Sequence, residues 1–317
     1  MGHEVEAVDI DNTIYSGPFV KFHHHLNFGP GVNKHNKDVL KAVDKFKPHL
    51  VLVDNKPFLK SASLRKIRKL AAGVKIVNLI TDDPAGKYKY AWRVCLQTVA
   101  LYDCHFVQRT INITELKYRG AQRVELCYRS FDPAYNRPVE LTSELQKKYY
   151  AKVGFIGTYE KHRASFIAYL IQNNVPVLVT GNDWPEKEYW EIIKPFYRGP
   201  SVYGDEYIYS LNGMEIALHF LRHTNRDEQD SRTFEIPASK VFMIAERSDV
   251  HLQLFEEDKE AVYFTTREEL LQKVNYYLEK PGERERIAEA GYHRSMTSGY
   301  DHRSRLESVI RQSFNAD

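Results

Sequence analysis

Strand-like and helix-like segments alternate along this chain of 317 residues, and that pattern constrains its fold more than any other feature. Residues 49–54, His-Leu-Val-Leu-Val-Asp, form a compact apolar run that is typical of a buried strand. Residues 37–46 repeat apolar side chains at helical spacing. Further strand-like runs lie at residues 5–10, 75–79, 105–107 and 123–127. Strands that alternate with helices in this way predict an α/β fold with a parallel, doubly wound sheet.

The alternation stops at residues 131–148, where Pro133 and Pro138 punctuate the chain and a charged run follows. It then resumes, with strand-like runs at residues 152–156, 176–180, 216–220, 241–245 and 262–264. We therefore predict two Rossmann-like domains, residues 1–148 and residues 149–317. Two α/β units in one chain favour a ligand site in a cleft between them.

Composition excludes several classes of function. The chain has 45 basic and 42 acidic residues and a net charge of +3, so nucleic-acid binding is not expected. No apolar stretch reaches the roughly 18 residues that span a bilayer. The N-terminus lacks the pattern of a signal peptide. Three cysteines without metal-type spacing indicate buried thiols and a cytoplasmic location.

Residues 230–245 have the strongest functional signal. Arg232 and Glu235 lie three residues apart and share one face of a predicted helix. A helix start and an Arg can meet phosphates, and an ionised Glu235 could accept hydrogen bonds from both hydroxyls of a ribose. The alternative is an ordinary core helix flanked by a surface Arg and Glu.

A glycine-containing turn forms a second candidate. Residues 154–159, Gly-Phe-Ile-Gly-Thr-Tyr, end a predicted strand and precede a predicted helix. Glycine lets the backbone approach a phosphate, and the following helix start favours an anion. Lys161 and Arg163 add positive charge. A plain strand-to-helix turn would use the same glycines.

These segments carry a resemblance to a known family. Residues 234–238 (Phe-Glu-Ile-Pro-Ala), 245–247 and 254–257, together with residues 153–159 and 180–184, resemble the donor domain of CgeB-like (spore-maturation type) glycosyltransferases. Those enzymes are group 1 glycosyltransferases of GT-B architecture. The resemblance spans about residues 150–305. It implies transfer of a sugar from a nucleotide diphosphate-sugar to an acceptor hydroxyl, with no metal and no further cofactor.

The resemblance also implies roles for particular residues. Arg222 and Arg232 would stabilise the leaving diphosphate. Independently of the resemblance, Asp82 stands at the end of a predicted strand of the first domain, where a carboxylate could orient or deprotonate the acceptor. The donor would contact Gly157, Thr158, Tyr159, Arg163, Gly181, Asn182, Trp184, Asn212, Thr233, Phe234 and Glu235. Trp184 could instead close the core, either arginine could form a surface salt bridge, and Asp82 could belong to a plain turn before Pro84.

The chain departs from the family pattern at two points. The strand, glycine loop and helix that precede a Gly-His-Glu-Val entry in the family have no counterpart before Gly2. The first domain is therefore expected to lack its usual first strand, either because the chain has a truncated or alternative start or because this domain is smaller than in the family. Many group 1 enzymes carry two glutamates, of which Glu235 matches the second. Asp227 stands at the first position with Glu228 beside it, so the first glutamate is either replaced or shifted by one residue. A retaining mechanism is therefore not implied.

Other patterns point less clearly to chemistry. Asp9-Ile10-Asp11 has the form of a metal motif, and His23-His24-His25 with His35 resembles a zinc cluster, but neither has suitable partners. We expect no metal site and a solvated loop at the histidines. As in many GT-B chains, the helix after Tyr300 could cross back to the first domain.

Four alternatives to this reading remain. A nucleotide-sugar epimerase or a phosphorylase could use the same fold, and a non-catalytic assembly protein could keep the nucleotide pocket. A transferase that acts on nucleic acid is less favoured by the charge. The sequence leaves the sugar, the nucleotide, the acceptor and the oligomeric state open.

Overall fold

A computed structural model describes residues 2–10, 14, 27–55, 58–87 and 89–315. The chain forms two compact units. Unit 1 comprises Met1–Tyr128, His223–Asp227 and Leu306–Asp317, and unit 2 comprises Arg129–Arg222 and Glu228–Arg305. Each unit is built around its own parallel sheet, which confirms the predicted α/β class.

Unit 1 contains a four-stranded parallel sheet with strands in the order β1-β2-β3-β4. Its elements are α1 (Pro30–Phe46), β1 (Leu50–Asp54), α2 (Ser61–Leu70), β2 (Lys75–Ile80), α3 (Arg93–Thr98), β3 (Cys104–Val107), α4 (Thr110–Tyr118) and β4 (Val124–Leu126), with short 3-10 turns at Lys89–Trp92 and Val99–Leu101. Strands predicted at residues 49–54, 75–79, 105–107 and 123–127 are confirmed to within about two residues at each end.

The two faces of this sheet are covered by different parts of the chain. On β2, Ile76 and Ile80 pack against helices that lie between the strands. Val77 and Leu79 point to the other face, because successive side chains of a strand alternate. There they join a cluster with Val309, from the last helix. Residues from Leu306 onward therefore complete the core of unit 1.

The strand predicted at residues 5–10 is wrong. Residues 2–10 have no regular secondary structure, and Val5 is 81% exposed. Glu4, Glu6 and Asp9 surround the short apolar positions, and β-propensity does not hold a strand that lacks a partner. No described residue before Leu50 belongs to a strand.

The histidine-rich segment is described only in part. Asp11 and His23-His24-His25 lie outside the described residues. His35 was expected in a solvated loop, but it is buried on α1, and burial lowers its pKa.

Unit 2 contains a six-stranded parallel sheet in the order β10-β9-β8-β5-β6-β7. The order reverses between β5 and β8, as in a doubly wound Rossmann-type sheet. The elements are α5 (Ser143–Tyr149), β5 (Ala151–Ile156), α6 (Lys161–Gln172), β6 (Val177–Thr180), α7 (Trp190–Ile193), β7 (Tyr197–Gly199), α8 (Asp205–Asn212), β8 (Met214–His219), α9 (Ser231–Ala238), β9 (Met243–Glu246), α10 (Asp249–Leu254), β10 (Val262–Phe264), α11 (Arg267–Leu278) and α12 (Pro281–Thr297), with a 3-10 turn at Lys194–Phe196. The 3-10 turn His223–Asn225 belongs to unit 1, and the last helix, α13 (His302–Phe314), begins in unit 2 and continues in unit 1 from Leu306.

Unit 2 begins earlier than the predicted junction at residues 148/149. Phe131 forms a backbone bridge with Asp301, and the Val139 amide donates to Asn212 Oδ1 at 2.9 Å. These contacts attach residues 129–148 to unit 2, although the prolines and charges in this stretch had placed the domain junction at its end. None of the described helices is both long and apolar enough to cross a membrane.

Candidate functional site

The candidate site of unit 2 lies at the carboxyl ends of β5, β8 and β9. The strand order reverses between β5 and β8, and loops leave such a switch point in opposite directions, which opens space for a ligand. The turn after β5 leads into α6, and the segment after β8 leads into α9. These strands, turns and helices all belong to unit 2.

Helix α9 begins at a capping box. Asp230 precedes the helix, and its Oδ1 accepts a hydrogen bond from the Arg232 amide at 2.7 Å. In return, the Asp230 amide donates to Thr233 Oγ1 at 3.1 Å. An Asp at this position satisfies backbone donors that a helix start otherwise leaves open, and its charge suits the helix dipole. The start of α9 therefore already holds a carboxylate, and we do not assign a phosphate to it.

A chain of buried hydrogen bonds supports this helix start. His251 contacts the carbonyl of Glu246 through Nδ1 at 2.7 Å and Thr233 Oγ1 through Nε2 at 2.9 Å. Since a carbonyl only accepts, Nδ1 carries the proton and the Thr233 hydroxyl donates to Nε2. Burial, together with the neighbouring His219, lowers the pKa of His251 to about 3, so it is neutral at ordinary pH.

His219 completes the support from β8. It is buried at the end of this strand, and its Nε2 lies 2.8 Å from Asp230 Oδ1. Burial alone would raise the pKa of Asp230, but His219, Arg232 and Arg163 outweigh it and lower that pKa. Asp230 is therefore an anion whose orientation is fixed from the sheet.

Glu235 stands one turn into α9, at the centre of what we call the Glu235 cluster: Glu235, Arg232 and Tyr207. The Tyr207 hydroxyl of α8 donates to Glu235 Oε2 at 2.6 Å, and Arg232 also donates to Oε2. The guanidinium carbon of Arg232 lies 4.6 Å from the centroid of the Tyr207 ring. Burial works against the charge of Arg232, but Tyr207, Glu235 and Asp230 outweigh it and raise its pKa.

The two oxygens of Glu235 differ. Oε2 receives both donors, whereas Oε1 has no hydrogen-bond partner among the described residues. The Glu235 side chain is 17% exposed, so solvent reaches it. The sequence predicted that Glu235 accepts hydrogen bonds from both hydroxyls of a ribose, and the structure leaves one of its two oxygens open.

The turn after β5 is held by close backbone packing. Gly181 has a φ of 155°, and a Cβ atom there would overlap the carbonyl oxygen of Gly157. The same carbonyl accepts a hydrogen bond from Trp184 Nε1 at 2.9 Å. Trp184 is 1% exposed and packs edge-on against Phe155 and Tyr159. It therefore closes the core and does not present its ring to a base.

Arg163 and Arg222, two of the cations that the sequence predicted to meet the donor, have different environments. Arg163 is 6% exposed, and it donates to the carbonyls of Thr158 and Phe220 at 3.1 Å each. It therefore ties the turn after β5 to the end of β8. Arg222 is half exposed, and its Nε lies 3.6 Å from Glu160 Oε1. Of the two, Arg222 is the one that a ligand can reach from solvent.

Several further residues that were predicted to bind the donor contact other parts of the protein instead. Phe234 is fully buried and packs edge-on against Tyr300, and Thr233 is fully buried against His251. Asn212 donates to the carbonyls of Ile208 and Arg137 at 2.9 and 3.2 Å and accepts from Val139, so its amide fastens residues 137–139. Asn182 accepts from the Ser201 amide at 3.0 Å.

In unit 1, Asp82 lies at the carboxyl end of β2, as predicted. Its Oδ2 accepts a hydrogen bond from Asn55 Nδ2 at 3.1 Å. Asn55 follows β1 with a φ of 59°, and its Oδ1 accepts from the amides of Thr81 and Asp82 at 3.3 Å each. Asn55 therefore fixes the direction of the Asp82 carboxylate.

Asp83, the next residue, is the buried member of a partly exposed ionic cluster of unit 1 that the sequence did not reveal. Arg226 donates to both oxygens of Asp83, at 2.5 and 2.7 Å, and to both oxygens of Glu115, at 2.8 and 2.9 Å. Asp227, which stands near the first family glutamate, forms a buried ion pair with Arg109. That pairing gives Asp227 a structural partner.

Sequence reasoning also missed Tyr207, His219 and His251. The spacing Asp230-x-x-Thr233 is a capping-box signal that could have located the start of α9. Tyr207 lies 28 residues before Glu235, and no local pattern connects the two.

Residues 163–311 match the family described as Glycosyl transferase-like. The matched segment is a little under half of the chain, and it includes α9 and the Glu235 cluster. No curated protein sequence matches the chain.

Solved structures share the fold at low identity. Sucrose-phosphate synthase from Thermosynechococcus elongatus is similar at 11% identity with a TM-score of 0.64, over 90% of this chain and 78% of that one. HepE from Anabaena, in complex with UDP and glucose, has 13% identity and a TM-score of 0.63, over 88% and 81%. A Listeria monocytogenes protein assigned as a UDP-N-acetylglucosamine 2-epimerase has 9% identity and a TM-score of 0.54, over 89% and 78%. These likenesses show an α/β fold of the GT-B type.

Proposed function

We propose that this protein is a glycosyltransferase that moves a sugar from a nucleotide diphosphate-sugar to an acceptor hydroxyl. One observation carries the proposal. The glycosyl transferase-like segment contains a carboxylate, Glu235, that stands at the switch point of a doubly wound sheet with one oxygen open. We also propose the CgeB-like type within the family and a cytoplasmic location, from the sequence patterns described above.

In this proposal the donor binds to unit 2. Its ribose meets Glu235, and its diphosphate meets the turn at Gly157 and Thr158, the start of α6 and Arg222. Helix α6 has no side-chain hydrogen-bond cap at its first residues, unlike α9. A helix start with open amides favours an anion. Arg232 is assigned to Glu235 rather than to the diphosphate, because its guanidinium already donates to that carboxylate.

The chemical step separates the sugar from the diphosphate. Negative charge grows on the leaving diphosphate as the glycosidic bond breaks, and a fixed guanidinium stabilises that charge in the transition state. We assign this role to Arg222 and propose a metal-independent reaction. Loss of such a group costs about a hundredfold in rate, so Arg222→Ala should lower the donor-hydrolysis rate by about that factor.

We propose that unit 1 binds the acceptor and that Asp82 takes the proton of its hydroxyl. An ionised carboxylate can act as a general base once it is within hydrogen-bond reach of the hydroxyl. Asn55 donates to Oδ2 of Asp82. Oδ1 of Asp82 has no hydrogen-bond partner in the part of unit 1 that the structure describes. Asn55→Ala would free the carboxylate to rotate and should slow transfer while donor binding persists.

A nucleotide-sugar epimerase is the second candidate, since a protein assigned as an epimerase is among the similar structures. The two functions differ in what they consume. An epimerase converts the nucleotide-sugar with no acceptor, and a transferase releases the nucleotide diphosphate.

The deciding experiment is a thermal-shift and donor-hydrolysis screen against UDP-, GDP-, ADP- and dTDP-sugars, with Glu235→Ala beside the wild type. UDP-glucose is the first donor to try, because HepE was solved with it. Stabilisation with slow release of sugar, both lost in the variant, supports the proposal. Isomerised nucleotide-sugar would indicate an epimerase, and stabilisation without turnover a binding protein. No response to any nucleotide would overturn the donor site.

A further inference from the structure

Positive charge is concentrated in one segment of this chain. Residues 34–69 contain eleven basic and three acidic residues, a net charge of +8. The rest of the chain contains 34 basic and 39 acidic residues, a net charge of −5. The net charge of +3 for the whole chain therefore conceals a strongly basic segment, which lies in unit 1 and covers most of α1, β1 and most of α2.

Helices α1 and α2 lie side by side on one face of the sheet of unit 1. Their apolar sides share one buried cluster with β1 and β2. Each helix leads into one of these strands, and the strands are parallel neighbours, so the two helices run in the same direction. Lys60 Nζ donates to Asn33 Oδ1 at 2.6 Å near one end of the pair, and Lys47 Nζ donates to the Leu70 carbonyl at 3.1 Å at the other. The pair therefore presents one continuous outer side, directed away from the sheet.

This outer side is lined with lysine and arginine. On α1, Lys37, Lys41 and Lys45 are exposed and follow one another at intervals of four residues, about 6 Å along the helix axis. Helix α2 contains four basic residues and no acidic one. We call six exposed cations of the pair the basic face: Lys37, Lys41, Lys45, Arg65, Lys66 and Lys69.

The basic face has few carboxylates to balance it. The two acidic residues of α1, Asp38 and Asp44, form ion pairs with Lys34 and Lys47, which are not among the six. Lys47 and, less strongly, Lys66 lower the pKa of Asp44, so Lys66 of α2 lies within electrostatic reach of α1. Like charges four residues apart on a helix repel each other and destabilise it. The basic face therefore suits an anionic partner better than it suits the stability of the free protein.

Two properties favour a flat anionic partner. Five of the six cations are lysines, whose charges sit at the ends of flexible stems, whereas arginine forms the fixed fork that binds one phosphate through two hydrogen bonds. The basic face is therefore suited to many separate anions rather than to one. A flat surface would contact this face alone, but a long flexible polyanion would also meet the rest of the chain, whose net negative charge repels it.

We propose that the basic face of α1 and α2 docks the protein on an anionic lipid bilayer. Clusters of about four to eight lysines and arginines bind such a surface electrostatically, and this binding needs no helix that crosses the membrane. The carboxyl ends of the strands, where Asp82 lies, are at one end of the helix pair and not beneath it, so docking leaves them uncovered. The docking is independent of the sugar transfer proposed above.

Co-sedimentation with lipid vesicles tests the docking. The whole chain is mixed at low salt with vesicles of phosphatidylcholine alone, or of a three-to-one mixture of phosphatidylcholine and phosphatidylglycerol. The wild type should sediment with the anionic vesicles and not with the neutral ones. About 1 M salt should release it, because exposed charges are then screened over a few ångströms. Absence of binding to the anionic vesicles, or equal binding to both kinds, would overturn the proposal.

The combined variant Lys37→Gln, Lys41→Gln and Lys45→Gln removes three charges and keeps residues that form helices well. Its affinity for the anionic vesicles should fall about a hundredfold, since each lysine near such a surface contributes a factor of about five. The same change at the three cations of α2 should have a similar effect. A thermal melt should show both variants folded, and if the α1 variant unfolds, the α2 variant decides.

The matched control combines Lys152→Gln, Lys187→Gln and Lys194→Gln, three exposed lysines of unit 2. It has the same net charge as the α1 variant and should sediment like the wild type. An equal loss of binding in this control would mean that net charge alone drives the association, and the basic face would have no special role. Tighter binding of the wild type to an oligothymidylate than to the anionic vesicles would assign the face to nucleic acid and overturn docking on a bilayer.

Discussion

Unit 1 and unit 2 each contain a cluster in which an arginine meets carboxylates, and the two clusters differ in how completely they are paired. In unit 1, Arg226 donates to both oxygens of Asp83 and of Glu115, and Asn112 donates to each carboxylate as well. In unit 2, Arg232 and Tyr207 both donate to one oxygen of Glu235.

The difference separates two uses of a charged side chain. A buried charge is costly unless it is paired, and the Asp83 side chain is 2% exposed, so the complete pairing in unit 1 maintains the fold. A carboxylate with one oxygen open near solvent keeps capacity for a ligand. The predictions below test that distinction.

The largest effect should come from Arg226→Met, which leaves Asp83 buried without its cation. We expect the free energy of unfolding to fall by about 3 kcal/mol, measured by urea denaturation. Arg267→Met, which breaks an exposed pair with Glu268, is the control and should change little.

The pH dependence of that effect follows from Asp83. Burial would raise its pKa, but Arg226 and Asn112 lower it below the unfolded value. The stabilisation is therefore present above the unfolded pKa of about 4 and is lost as the pH falls further. The gap between wild type and Arg226→Met should narrow in acid, and a gap that widens there would contradict this account.

The second prediction concerns the buried hydrogen bonds of His251, which support the start of α9. It tests whether these bonds stabilise the fold, as the ion pairs of Arg226 do in unit 1. Below about pH 6.5 the unfolded chain binds a proton at His251, while the native state, with a pKa of about 3, does not. The free energy of unfolding should thus lose up to about 1.4 kcal/mol per pH unit between pH 6 and pH 4 through this residue.

His251→Gln removes that titration, and an amide can replace both hydrogen bonds. Urea titrations at pH 6, 5 and 4 should show a shallower slope for the variant than for the wild type. Identical slopes would mean that His251 takes up its proton in the folded state.

Glu235→Gln tests the open carboxylate. Hydrogen bonds to a charged group contribute about 1.5–3 kcal/mol, so the affinity for UDP should fall about ten- to a hundredfold in calorimetry. Glu257→Gln is the matched comparison, because Arg247 occupies both oxygens of Glu257. It should lower stability and leave UDP affinity unchanged. If Glu257→Gln weakened UDP binding and Glu235→Gln did not, an unpaired carboxylate oxygen would not mark a ligand site.

The smallest effect on stability is expected at Arg222. It is half exposed and lies 3.6 Å from Glu160, so Arg222→Ala should change the free energy of unfolding by less than about 0.5 kcal/mol. A thermal melt of the variant measures this. A large decrease in the free energy of unfolding would show that Arg222 stabilises the fold and is not free to bind a ligand.

The sequence alone predicted much of the fold for a simple reason. Residues 75–80 form a largely buried inner strand of a parallel sheet, and residues 50–53 of the neighbouring edge strand are partly buried, so both runs read as continuous apolar segments. Residues 5–10 also contain β-branched and apolar side chains, but strand formation needs a neighbouring strand, which a local pattern does not reveal. Strand β7, Tyr197–Gly199, was missed because it is three residues long and flanked by prolines.

Within the site, the sequence located α9 and Glu235 because their signal is local. The sequence did not predict Tyr207, because its hydrogen bond to Glu235 depends on how α8 packs beside α9. Trp184 and Phe234 were predicted to touch the donor, yet both are buried. Aromatic residues near a functional motif often pack the scaffold beneath it, and the sequence does not distinguish that role from ligand contact.

The packing of Val309 against β2 and β3 also has a consequence for synthesis of the protein on the ribosome. One face of the sheet formed by residues 50–126 is covered by a helix that is translated almost 200 residues later. While the polypeptide emerges, Val77 and Phe106 are exposed on that face, so the nascent sheet is open to chaperones and to aggregation. A premature stop near residue 300 would leave the glycosyl transferase-like core nearly whole and would expose the N-terminal sheet instead.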